Sequence, residues 1–300
     1  MRRALLILSG LALAGILISC AAVTKVATTA GVLTGTLSGQ QADSINTGTE
    51  AVGKALEKFT PENEYYIGRA VGASILEQYP PLNSDSATRY LNLLGQSLAA
   101  VSDKPETFAG YHFLILDTDD VNAFAAPGGL ILVSRGLIRC CKDEDSLAAV
   151  VAHEIGHVQN EDALNAISKS RKTNALTVLG AEAAKNVAGG GAQLVSAFEG
   201  CVSDVVKQMV DNGYSRGCET KADASAVSIM SRLGYNPRAL EVMLEEMDKR
   251  VQKGEKKGFG KTHPAPKDRI KAVDPLVASS GPMEISAARQ ARFDKAMGGI

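Results

Sequence analysis

One stretch, His153-Glu154-Ile155-Gly156-His157, constrains this chain more than any other. On a helix, positions i and i+4 share a face about one turn apart, so the two imidazoles point the same way and Glu154 points elsewhere. The surrounding run from Leu147 to Val158 is mostly Ala, Val, Leu and Ile, which predicts a helix that is itself buried. Two imidazoles and a carboxylate are costly in such surroundings unless a metal or partners compensate them. The whole chain has 4 His, and two are placed here. Their spacing suits two ligands of one zinc ion at about 2.0–2.1 Å from each nitrogen. Glu154 can reach a water in the open position, take its proton, and then carry that proton to a leaving amine. An amphipathic helix holding these residues by chance would leave all three unexplained.

A zinc site of this kind needs a third protein ligand. The metzincin pattern would place Gly and His three and six residues after His157, where this chain has Asn160 and Ala163, so that pattern is excluded. A carboxylate from a later helix is the remaining choice. Glu219 and Asp223 stand at i and i+4 among Ala222, Ala224, Ala226, Val227, Ile229 and Met230, which predicts one ligand and one partner orienting a ligand histidine. Glu182 and Glu199 compete for the ligand role, each alone on its own helical stretch.

The N-terminus reads as an address. Arg2 and Arg3 precede an apolar run from Ala4 to Ile18, and Leu17-Ile18-Ser19-Cys20 resembles a bacterial lipobox, which makes Cys20 the acylated first residue of the mature chain. An ordinary cleaved signal and a retained single span are the alternatives. Downstream, nothing offers about 18 uninterrupted apolar residues. With Lys+Arg 32 against Asp+Glu 33 and a net charge of −1, the chain has no basic field for a polyanion, so nucleic acid is not an expected partner. Cys140, Cys141, Cys201 and Cys218 include no C-x-x-C pair; buried thiols or long-range disulfides are both open.

Periodicity supplies the organisation. The predicted boundaries are a signal peptide at 1–19, a Thr/Gly/Ser-rich tether at 20–60, one catalytic body at 61–276 and a tail at 277–300. Helices are expected from Glu62 to Gln78, Ser84 to Val101, Asp143 to Val158, Asn174 to Val187, Ala192 to Val210, Glu219 to Leu233 and Arg238 to Gln252, with a short one after Pro264. Three short apolar runs, His112–Asp117, Val121–Ala126 and Leu130–Val133, predict a small antiparallel meander. The class is therefore α+β and mainly helical, and the His153–His157 motif makes it resemble a zincin.

Five ordered pieces resemble metallopeptidase family forty-eight, the gluzincins of HtpX, CAAX prenyl endopeptidase and BepA type. They are Asn122-Ala-Phe-Ala-Ala-Pro-Gly-Gly129, the His153–His157 motif, Tyr214-Ser-Arg-x-x-Glu219-x-x-x-Asp223, Gly234-Tyr-Asn-Pro237, and Thr262-His263-Pro264 with Arg269-Ile270. The resemblance runs from Pro61 to Pro275 and fits the family's periplasmic lipoprotein branch, since no span follows Ser19. It implies that Glu219 is the third ligand of a single zinc, that Asp223 orients a ligand histidine, and that His263 stabilises the oxyanion. It also implies that the strand Leu130-Ile131-Leu132-Val133 binds the substrate backbone as an added strand. Where relatives often carry Arg-His after the zinc helix, this chain has Glu161-Asp162, and Cys218 stands beside Glu219 as either an inhibitory ligand or a small hydrophobe. The expected activity is zinc-dependent hydrolysis of envelope polypeptides, misfolded or unassembled, on the periplasmic side of the cell envelope, with the protein lipid-anchored at the outer membrane. The alternative is a chaperone for outer-membrane assembly, working with that machinery, whose protease is latent or secondary.

Overall fold

The computed structural model describes residues 59–166, 213–252, 262–263, 266–282 and 286–300, with scattered positions between 28 and 46, at 168, between 206 and 210, and at 284. Cys20, Cys201, Glu182, Glu199 and the helices expected from Asn174 to Val187 and over most of Ala192 to Val210 lie outside the described residues. The chain divides into two compact units. One comprises 1–57 with 170–198, where Thr28 Oγ1 bonds Asn46 Oδ1 at 2.8 Å; the other comprises 58–169 with 199–300 and carries every element named below.

Helix α1 (Pro61–Gln78) starts with a capping box in which Thr60 and Asn63 exchange side-chain and backbone bonds, and Pro61 takes the first-turn position that needs no N–H donor. It buries Val71 and Ile75, as its four-residue steps require. Helix α2 (Asp85–Ala99) buries Leu91, Leu94 and Leu98. Strands β1 (His112–Leu116), β2 (Ala123–Ala126) and β3 (Leu130–Ser134) follow, then a short helix α3 (Arg135–Ile138) and the motif helix α4 (Glu144–Gln159). Helices α5 (Arg216–Leu233), α6 (Arg238–Gln252), α7 (Pro266–Val277) and α8 (Ala287–Met297) complete the unit. The α+β, mainly helical class read from periodicity is the class observed. Among the described residues no helix is long and apolar enough to cross a membrane.

The sheet is mixed rather than an antiparallel meander: its order is β1-β3-β2, with β1 parallel and β2 antiparallel to β3. The loop after β1 carries the chain across the end of β3 instead of turning straight back. Arg135 clamps Asp117 and, at 3.0 Å, Asp119, while Gly136 N–H donates to Thr118 at 3.1 Å, which fixes that crossing. The hairpin turn Pro127-Gly128-Gly129 then returns the chain between its two neighbours.

Helix α4 is the axis of the core: all residues from Glu144 to Val158 are buried, against α2, α5, α6, α8 and β2. Such a helix has no wet face, which is why its stretch reads as apolar throughout rather than striped. The stretch expected as a tail holds α8, whose Phe293 and Met297, one turn apart, join the same core.

Candidate metal centre

The motif helix is fixed at both ends. At its N-terminus the Asp143 carboxylate caps Ser146 N–H at 2.7 Å, as its position suits. Glu144 accepts from the hydroxyls of Tyr90 and Tyr235, both at 2.8 Å, and from Arg292 Nε at 3.0 Å. Asp145 accepts from Arg289 Nη1 at 3.1 Å. Towards its C-terminus, Gly156 lets α5 approach: a Cβ there would stand 2.8 Å from the Ala222 carbonyl oxygen and 3.0 Å from its Cα. Only a glycine permits this contact, and the contact brings α5's carboxylates over the two imidazoles.

Helix α5 is capped by Ser215, whose hydroxyl accepts from Cys218 N–H. Glu219 follows in its first turn and Asp223 one turn later, both fully buried. Four side chains converge: His153, His157, Glu219 and His263 offer donor atoms that all lie within 4.8 Å of one another. His153 Nε2 and His157 Nε2 are 3.2 Å apart, and His157 Nε2 lies 3.5 Å from Glu219 Oε1. His153 Nε2 stands 3.6 Å from Glu219 Oε2 and 3.4 Å from His263 Nδ1. His263 Nδ1 completes the set, 3.2 Å from Glu219 Oε1.

Each motif histidine turns its other nitrogen to a carboxylate. His153 Nδ1 is 2.9 Å from Asp223 Oδ1, and His157 Nδ1 is 2.8 Å from Asp162 Oδ2. A neutral imidazole that donates through Nδ1 leaves a bare lone pair on Nε2. Two such lone pairs at 3.2 Å, facing a carboxylate, repel unless a cation lies between them. Four donors about 2.0–2.1 Å from one zinc stand roughly 3.3–3.4 Å from each other, and the separations above bracket that value. The residues therefore fit a zinc ion.

Arg269 binds Asp223 through Nε at 2.9 Å and Nη2 at 2.6 Å, and its Nη1 lies 3.0 Å from Glu219 Oε2. Its Nη2 is also 3.2 Å from His153 Nδ1. That nitrogen cannot both donate to Asp223 and accept from Arg269, and the shorter contact to the carboxylate is the hydrogen bond. Burial alone would raise the carboxyls of Glu219 and Asp223. His263 and Arg269 beside Glu219, and Arg269 and His153 beside Asp223, hold both far below the usual carboxylate range. Burial and Arg269 push the His153 imidazole down, but Asp223 and Glu219 outweigh them and lift it to about 9. Burial lowers His157 in spite of Asp162.

Glu154 is fully buried, and among the described residues neither carboxylate oxygen has a hydrogen-bond partner. Its Oε1 lies 3.6 Å from His263 Nε2. Such an orphan is expensive in a dry interior unless a water or substrate group completes it. His263 is held in place from behind: Thr262 Oγ1 bonds Asn122 Oδ1 at 2.9 Å, and Tyr214 N–H donates to the Thr262 carbonyl at 3.0 Å.

The structure thus brings together His153, Glu154, His157, Glu219, Asp223 and His263, with one departure from expectation in the substrate strand. His263 stands among the donors, with Nδ1 facing Glu219 and His153 and Nε2 facing Glu154. The strand Leu130-Ile131-Leu132-Val133 is central, hydrogen-bonded on both sides by β1 and β2, so it cannot accept a further strand; among the described residues the edge strand next to α4 is β2, itself buried. Of the two readings of Cys218, the placement agrees with the small side chain: it lies outside the donor set, and Ser215 Oγ donates to its Sγ at 3.3 Å. Sequence reasoning missed Asp162 as a histidine partner and Arg269 as the clamp on both α5 carboxylates. Cys140 and Cys141 are buried, their thiols donating to the carbonyls of Gly136 and Leu137.

Comparison with known sequences agrees with this geometry. Residues 85–277 match the family described as "Peptidase family M48". The chain is 26% identical over 235 residues to the beta-barrel assembly-enhancing protease of Escherichia coli, covering 78% of this chain and 46% of that protein. It is 29% identical over 204 residues to the mitochondrial metalloendopeptidase OMA1 of Schizosaccharomyces pombe, covering 68% and 55% of the two chains. It is 25% identical over 201 residues to the metalloprotease LoiP of Escherichia coli, covering 67% and 74%. The chain thus spans about half the length of the first two relatives.

Proposed function

The chain belongs to peptidase family M48, and from that premise we propose that it is a zinc-dependent metalloendopeptidase acting on polypeptides of the cell envelope. The observation that carries the proposal is the donor set: separations of 3.2, 3.4, 3.5 and 3.6 Å among donor atoms of His153, His157, Glu219 and His263 are of the size that ligands of one zinc ion would have. His153, His157 and Glu219 are assigned as the protein ligands, with Asp223 orienting His153. Zinc bound there would polarise a peptide carbonyl and lower the pKa of a water. The chain's own contribution is Glu154, whose unpartnered oxygens are free to accept the water's proton and return it to the leaving amine nitrogen.

Substrate backbone is assigned to the outer edge of β2, which pairs with no further strand among the described residues but is buried, so a peptide has to displace what covers it. Ser134 N–H donates to the Asn122 carbonyl, so in the alternating pattern of an antiparallel ladder Phe124 and Ala126 face β3 while Ala123 and Ala125 turn main-chain groups to the outer side. An extended peptide added there lies along the motif helix.

A second reading is favoured by one observation. His263 Nδ1 lies 3.4 Å from His153 Nε2 and 3.2 Å from Glu219 Oε1, close enough that it would serve as a fourth protein donor in place of the water, as a latent protease requires. One relative is named for enhancing β-barrel assembly; a corresponding role here, as an assembly factor for outer-membrane proteins with latent proteolysis, is the alternative. The N-terminus supports placement on the periplasmic side of the envelope, held by a lipid on Cys20 and facing the outer membrane, with 1–19 as signal and 20–60 as tether. Metal analysis of the purified protein together with casein cleavage, with and without chelator, tests the enzyme reading. Metal-free protein, or cleavage that survives the chelator, overturns it. His263→Ala separates the two roles of that residue: casein cleavage rises if His263 closes the site and falls if it only stabilises the oxyanion.

A further inference from the structure

Beyond the ligands, the second carboxylate of the centre needs an explanation. Helix α4 ends at Asn160, and the next residue, Glu161, is the one described non-glycine residue with a positive φ, at 56°. A side chain with a Cβ enters this left-handed region at a cost, and such strain is kept where the surroundings hold it. Here the surroundings do so. Glu161 N–H donates to Val158 at 3.1 Å, Asn165 N–H donates to Glu161 at 2.8 Å, and Lys104 Nζ ties Glu161 at 3.2 Å to the end of α1 through Glu64 at 2.8 Å. The result of the reversal is that Asp162, instead of continuing away from the helix, folds back onto its last turn. Its Oδ2 reaches His157 Nδ1 at 2.8 Å, with both side chains buried.

We infer that Asp162 is a positioning residue of the metal centre, holding His157 in the Nδ1–H tautomer so that Nε2 faces the metal, as Asp223 does for His153. The inference rests on the zinc reading above and deepens it. The two histidines are treated alike by unrelated parts of the chain. Asp223 reaches His153 from α5, and Asp162 reaches His157 from the strained end of α4 itself. Both carboxylates make the short contact at Nδ1, at 2.9 and 2.8 Å, and both imidazoles are thereby left with Nε2 toward Glu219. Tyr214 closes the arrangement, stacked on the His157 ring at 4.3 Å between centroids and 27° between planes, so the imidazole cannot swing away from Asp162. This also gives the Glu161-Asp162 pair a purpose in the centre, where it is otherwise only a departure from the residues expected at that point.

The test measures zinc affinity by chelator competition and the visible absorption of the cobalt-substituted protein, in wild type, Asp162→Asn and Asp162→Ala. Asp162→Asn preserves shape and removes charge. We expect it to weaken zinc by about 10-fold and Asp162→Ala by up to about 100-fold, the range for losing a carboxylate behind a ligand histidine. The cobalt bands should shift, because His157 changes as a donor, and the zinc-induced gain in melting temperature should shrink while the zinc-free melting temperature stays near wild type. A role confined to fold stability would lower both melting temperatures equally and leave the cobalt spectrum unchanged; that result overturns the inference. If Asp162→Ala does not fold, Asp162→Asn decides alone. Wild-type protein that fails to bind zinc tightly sinks the zinc reading itself, a different result from a variant that binds as tightly as wild type.

Discussion

Glu219 and Asp223 sit one turn apart on the same helix and share Arg269, yet they should fail differently when removed. Glu219→Ala deletes a ligand and should abolish stoichiometric zinc, whereas Asp223→Ala leaves every donor in place and should lower affinity by roughly 10–100-fold. Inductively coupled plasma measurement of zinc per chain checks this, and wild-type zinc content in Glu219→Ala would remove that residue from the site. The pair of carboxylates was legible because helical spacing is local: i and i+4 in a small-residue stretch is visible in the sequence alone. Arg269 lies 46 residues from Asp223, and nothing local announces that pairing. Asp162 was illegible for another reason. Its contact to His157 depends on a left-handed turn at Glu161, and Asn160-Glu161-Asp162 contains no glycine to signal one.

At the scale of elements, the central contact is α4 on α5 through Gly156. Gly156→Ala would drive a Cβ against backbone atoms of Ala222 at 2.8 and 3.0 Å, which cannot give way as a flexible side chain would. Overpacking of this kind costs about 1–3 kcal/mol, and each kcal/mol lowers Tm by about 2–4 °C in a domain of this size. Because the same contact seats Glu219, zinc affinity should fall with Tm; a variant with wild-type Tm and affinity would mean the helices have room to spare. The other end of α4 predicts an acid response. Burial would raise the Glu144 carboxyl, but Arg292, Tyr235 and Tyr90 outweigh it and hold the pKa below its ordinary value. A folded pKa below the unfolded one gives stability that is fully present above the unfolded value, about 4.3, and is lost as pH falls through the folded value. Tm should therefore drop on acidification below about pH 4.3, less steeply in Arg292→Ala than in wild type; equal slopes would contradict the assignment. Helices and strands were readable from period, whereas the strand order was not, since an apolar run such as Leu130–Val133 looks the same at a sheet's centre as at its edge.

For the whole molecule, the proposed lipid anchor makes a separable claim. Replacing Cys20 with Ala should release the protein from the membrane fraction, because stable attachment requires more than one acyl chain and all of them depend on this residue; a variant that stays bound after a salt wash contradicts the lipoprotein reading. Catalysis is the central claim, and Glu154 tests it most directly, because this carboxylate is buried beside the donor set without belonging to it. Zinc per chain and casein hydrolysis are to be measured together in wild type and Glu154→Gln, which preserves size and removes the base. The account predicts equal zinc in both and hydrolysis lower by at least about 10²–10⁴-fold in the variant; Glu154→Gln that binds zinc and cleaves at the wild-type rate would contradict it.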